Sequence, residues 1–204
     1  MTEPGGRGRY VDRFLTFIDA IVAIAITLLI LPLVDLTTDY TGSAVDLIRE
    51  HVPELLAFGL SFVVIFRFWK AQHHILRDVI DLDGPATQTL TCWAFTIVFL
   101  PFPTALASSS PPDETSTRAL YVGTMAASAG ALAVLSWAVA RNPALRSGAQ
   151  APDPKQAFAT FSILVVALAL TTAIPATGYY PLLLLFLTGR FVDVWHRFER
   201  KPAS

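Results

Sequence analysis

One carboxylate stands where it costs free energy. Asp19 lies several residues into an apolar run that extends from Phe14 to Val34. An aspartate at the centre of a membrane helix costs ~2.5–3.5 kcal/mol on insertion scales, and less near an end. It therefore requires a partner or water. It could tie two helices together, carry a proton, or sit at the membrane surface as a cap. Candidate partners follow the second apolar run, where Arg67, Trp69, Lys70, Gln72, His73 and His74 cluster. His73 and His74 are adjacent, so on a helix they point about 100° apart and cannot both face one site. Two adjacent histidines also make a poor metal motif. One of them can pair with Asp19, or with an indole on the third run such as Trp93. An interfacial belt of Trp, His and Lys explains the same residues equally well.

A second pattern lies on the run that holds Asp19. At about 100° per residue, Ile24, Thr27, Leu28 and Leu31 fall on one narrow stripe, with Asp19 on roughly the opposite side. The two faces should meet different surroundings. A stripe of this kind, taken alone, serves packing more often than it lines a pore. Gly123 to Gly130 is rich in small residues, which suits close helix packing.

Other chemistries have little to work with. The motifs of phosphate-binding loops, zinc proteases, hydrolases and dinucleotide folds are absent, as are a carbonyl filter and an arginine-rich voltage sensor. The sequence points to no enzyme, metal or cofactor. Its net charge of −1 does not suggest a nucleic-acid partner. The one cysteine, Cys92, cannot form an internal disulfide.

The elements that position these residues are membrane spans. Of the 204 residues 53% are hydrophobic and only 15% charged, against roughly 25% charged in soluble domains. Six apolar runs stand out: Phe14 to Val34, Leu55 to Leu76, Leu90 to Ala107, Ala119 to Ala140, Phe158 to Ile174 and Tyr180 to Trp195. Each approaches the ~20 residues that cross a hydrocarbon core. The first lacks a cleavage site and reads as a retained helix rather than a signal peptide. Pro101 and Pro103 should bend or end the third span. Of 15 lysines and arginines, 13 fall on one side of this arrangement, leaving Arg49 and Arg118 on the other. By the positive-inside rule both termini are cytoplasmic. The expected fold is all-α and polytopic, with six transmembrane helices forming one domain over 1–204. Residues 1–9 read as unstructured.

The first-run segment Arg13-x-x-x-Phe17-x-Asp19, continued by Ala20 and Ala23-Ile24-Ala25-Ile26-Thr27-Leu28-Leu29, resembles the signature of a known family. That family is the endolysosomal potassium channels (transmembrane protein 175), and the likeness is to its short prokaryotic members. Trp69 with His73-His74, and Leu100-Pro101-Phe102-Pro103-Thr104, are similar to it as well. One departure is clear: Ile18 stands where the family has serine, which removes a hydroxyl from the local network. The resemblance implies a potassium-permeable channel in the prokaryotic plasma membrane, assembled as a homotetramer and conducting potassium and other monovalent cations. The first helices of four subunits would line the pore. Ile24, Leu28 and Leu31 would form a hydrophobic constriction, with Thr27 influencing selectivity. Arg13, Phe17 and Asp19 would hold helices together near the cytoplasmic side. A small proton-coupled transporter working through Asp19 is the competing expectation.

Overall fold

The structure, a computed structural model, describes residues 4–38, 40–109, 114–148 and 151–174. The sixth apolar run, Tyr180 to Trp195, lies outside the described residues. Five helical segments are long and apolar enough to cross a membrane: Gly8–Asp35, Val52–Leu76, Gly84–Ser109, Thr115–Arg141 and Pro154–Ala173. They coincide with the first five expected spans.

In chain order the helices are α1 (Pro4–Leu28), α2 (Leu31–Asp35), α3 (Ala44–Glu50), α4 (Val52–Leu76), α5 (Gly84–Phe99), α6 (Pro101–Ser109), α7 (Thr115–Arg141) and α8 (Pro154–Ala173), with a single 3-10 turn at Pro143–Leu145. The helix starts follow from local chemistry. Pro53, Pro85 and Pro154 each stand in a first turn, where a missing N–H costs nothing. Asp83 caps α5 by accepting from the Ala86 amide at 2.8 Å. Asp153 accepts from the Lys155 amide at the start of α8.

Three features correct the sequence reading. Helix α1 begins at Pro4, so residues 4–9, expected to be unstructured, are helical. The first span is not continuous. It tightens at Leu29 and Ile30, whose amides reach only three residues back, to Ile26 and Thr27. Pro32 is the cause, because it has no N–H to offer the Leu28 carbonyl and its ring crowds that turn. Finally, α3 adds a short helix between the first two spans that the sequence reading did not include, and none of its residues is buried.

The third span breaks only at Leu100. Its amide bonds the Ile97 carbonyl, and Thr104 restores the ladder by giving both its amide and its hydroxyl to the Leu100 carbonyl. The two prolines thus interrupt the helix without ending the span.

Helix α7 is the centre of the bundle. Buried residues make up 61% of its apolar window, against 17–39% for the other spans. It packs on α8 and α5, while α1 lies mainly against α5. Gly130 explains the close approach of α8: a methyl group there would sit 3.0 Å from the Phe161 ring. Gly123 has open space in front of it among the described residues, although its neighbours Val122, Thr124 and Met125 are buried. Two buried polar links pin the spans. The Ser61 hydroxyl lies 2.9 Å from that of Thr104 and 2.8 Å from that of Tyr121, joining α4, α6 and α7. Thr96 and Ser128 join α5 to α7. Between spans that share an apolar solvent, such hydrogen bonds and close packing replace the hydrophobic drive.

Candidate functional site

Helix α1 has two unlike faces. Val11, Ile18, Val22, Ala25 and Leu29 are buried and pack into the core with α5 and α4. The other face carries large apolar side chains that stay exposed among the described residues. Ile24 is 59% exposed, Leu28 38% and Leu31 51%. Thr27 is exposed beside them. Its hydroxyl donates to the Ile24 carbonyl at 2.7 Å, which spends the proton and leaves oxygen lone pairs outward. All four residues of the sequence-derived stripe therefore lie on the exposed side.

The stripe is longer than the sequence reading had it. Tyr10, Phe17, Ile24 and Leu31 recur every seven residues and are all exposed. Arg13, Ala20, Thr27 and Val34 do the same, three positions on. Residues seven apart return to nearly the same face of a helix, so the two sets together trace one exposed face along the first span.

Asp19 sits to one side of the stripe and is tied to α4. The Trp69 indole N–H donates to Asp19 Oδ1 at 2.9 Å. His73 Nδ1 lies 3.2 Å from the Trp69 carbonyl, which only accepts, so this bond requires the proton on Nδ1. His73 Nε2 then faces Asp19 Oδ1 at 3.6 Å, close enough to form an ion pair if the ring is protonated. The His73 and Trp69 rings meet at a tilt of 52° with centroids 4.4 Å apart. An aromatic ladder of Phe58, Phe62, Phe66 and Trp69 leads along α4 to this point. The carboxylate thus accepts a hydrogen bond from an indole and has an imidazole beside it.

A double-mutant cycle on Asp19→Ala and Trp69→Phe should give a coupling of about 1–2 kcal/mol, since hydrogen bonds to charged groups contribute at that level. Detergent unfolding of the purified protein reads it. Additive losses would mean that the bond contributes nothing.

The sequence pattern of the family described as the endosomal/lysosomal potassium channel TMEM175 matches residues 13–101. A curated relative from Streptomyces collinus, named as a potassium channel, is 28% identical over 128 residues, which are 61% of this chain and 62% of the relative. The chain thus spans about three fifths of the relative's length. The likeness to the TMEM175 family is confined to residues 13–101.

The matched segment runs from α1 to the break after α5 and holds Ile24, Thr27, Leu28, Leu31, the Asp19 cluster and Trp93. Not every expected residue joins the cluster. Trp93 is fully buried in α5 and its indole N–H has no partner among the described residues, so it is the Asp19 alternative, and not the Trp93 one, that His73 takes. Trp69 joins that pair as the donor to Asp19. His74 turns away from Asp19 and lines a separate cavity at the end of α4. Arg13 and Phe17 are exposed. Ile18 is buried and supplies apolar packing.

Proposed function

We propose that this protein is a potassium-permeable cation channel of the membrane, in which α1 from each of four subunits lines a central pore. The carrying observation is the exposed stripe along α1 and the start of α2, which has apolar side chains at Ile24, Leu28 and Leu31 while the back of α1 packs into its own bundle. A helix face this apolar fits either lipid or copies of itself. The family match over residues 13–101 and the name of the Streptomyces relative support conduction of potassium. Rings of branched aliphatic side chains gate by dewetting, and no set of fixed oxygens replaces the ion's hydration shell, so selectivity is modest. Thr27 supplies the one hydroxyl next to the constriction and biases ion preference through its outward lone pairs. The distribution of lysine and arginine supports cytoplasmic termini in a plasma membrane. Asp19 fits a helix tie better than a proton carrier, because its oxygen already accepts from Trp69.

The test is passive flux in liposomes. Reconstituted protein should move potassium down its gradient, faster than sodium and without a proton gradient. Flux that appears only when a proton gradient is imposed would replace the channel with a coupled transporter.

A further inference from the structure

Three helix ends meet at the lysine- and arginine-rich end of the bundle: the last turns of α4 and α7 and the first turn of α8. The connections there are pinned. Val79 and Arg146 form an antiparallel bridge. The Ile80 amide donates to the Leu145 carbonyl at 2.8 Å, and the Ser147 amide to the Asp78 carbonyl at 3.0 Å. Together they enclose a cavity of about 280 Å³, whose polar lining is His74, Arg77, Asp78, Arg146 and Asp153. Ile75 and Val139 form part of its apolar wall. Such a volume holds roughly nine waters at liquid density.

The lining has mixed charge, with two guanidiniums against two carboxylates and a histidine between. Arg146 is under-used. Its Nε is buried with no partner, and its Nη2 makes only a long contact, 3.5 Å, with the Ala140 carbonyl. A buried donor without an acceptor is costly, and a bound anion would relieve it. Asp153 gives one oxygen to the cap of α8. Asp78 forms no ion pair among the described residues. A polyanion would meet the carboxylates here, and a simple cation would meet the guanidiniums. A phosphate and an ammonium on one short linker satisfy both. The cavity also lies at the level of the span ends, where Arg141 stacks 4.7 Å over the Trp137 ring, a pairing suited to the headgroup region.

We propose that this cavity binds a zwitterionic phosphoryl-amine group of the kind carried by phosphatidylethanolamine, with Arg146 and Arg77 taking the phosphate and Asp78 the ammonium. The proposal depends on the spans crossing a membrane and not on conduction. Native mass spectrometry of the purified full chain, titrated with phosphatidylethanolamine or phosphatidylglycerol of equal chain length, tests it. The parent should retain phosphatidylethanolamine preferentially. Arg146→Gln should weaken that retention about tenfold, the scale of one charge-assisted hydrogen bond. Asp78→Asn should erase the preference and leave phosphatidylglycerol binding as it was. Both substitutions keep the backbone bonds that pin the loops, and Arg77→Gln, at an exposed position, is a second reading of the phosphate side should Arg146→Gln not fold. Soluble phosphoethanolamine separates the sources. If it displaces the lipid only in large excess, the ligand is the membrane lipid. If it binds alone as well as the lipid does, the ligand is the free compound at the same site. Equal retention of the two lipids by the parent, or undiminished phosphatidylethanolamine binding by both arginine variants, overturns the proposal.

Discussion

Ile24→Asn should raise cation flux about tenfold or more and remove any preference for potassium over sodium. Ile24 is the most exposed of the three apolar stripe residues. In a symmetric assembly each substitution is repeated in every subunit, so one change places a ring of amides where a ring of sec-butyl groups excluded water. A dewetted constriction holds its barrier because an ion must shed hydration without compensation. Amides supply oxygens and hold water, and each ~1.4 kcal/mol taken from the barrier is worth tenfold in rate. Val166→Asn makes a comparable change at an exposed position on α8, where the pore reading expects no effect. Liposome flux with paired potassium and sodium gradients gives both numbers. If Ile24→Asn and Val166→Asn behave alike, the stripe faces lipid and the constriction lies elsewhere.

The part of this site that was legible in the sequence is the part set by helical geometry. Ile24, Thr27, Leu28 and Leu31 share a face whatever the helix packs against, and the structure leaves that face exposed. The cost of an aspartate in an apolar run likewise required a partner for Asp19, and one is present. Which partner it would be was not legible. The sequence admits Trp69 and Trp93 equally, because both are indoles on apolar helices. The choice depends on how α4 and α5 rotate against α1, and that is fixed by tertiary contacts such as Ile18, Leu90 and Ile97 in the core. The break at Leu29 was hidden for another reason. Pro32 sits near the end of a long apolar run, where hydropathy carries no trace of a missing hydrogen bond. Helix α3 escaped because a seven-residue helix with no buried side chain has neither length nor periodicity to announce it.

Trp93 provides the second large effect, and it separates a core role from a network role. Trp93→Ala should destabilise the protein by about 3 kcal/mol, while Trp93→Phe should cost far less. In a soluble protein, burial from water would dominate this loss. In a bilayer the unpacked side chain still lies in hydrocarbon, so the transfer contribution largely cancels and the cavity remains. Trp to Ala removes about 140 Å³, and at about 24 cal/mol per Å³ the void costs about 3 kcal/mol. The indole N–H contributes nothing to set against this, because it is buried and has no partner. Phenylalanine keeps most of the ring and deletes the unpaired donor, so its smaller cavity is offset by a relieved polar group. Unfolding of reconstituted protein in mixed detergent micelles measures both variants. If Trp93→Phe is as damaging as Trp93→Ala, the N–H has a partner in the assembled protein and Trp93 returns to the polar network of α1. If only Trp93→Ala is damaging, the ring matters as volume, and the fixed packing of α1 on α5 is what holds the stripe of Ile24, Leu28 and Leu31 facing outward.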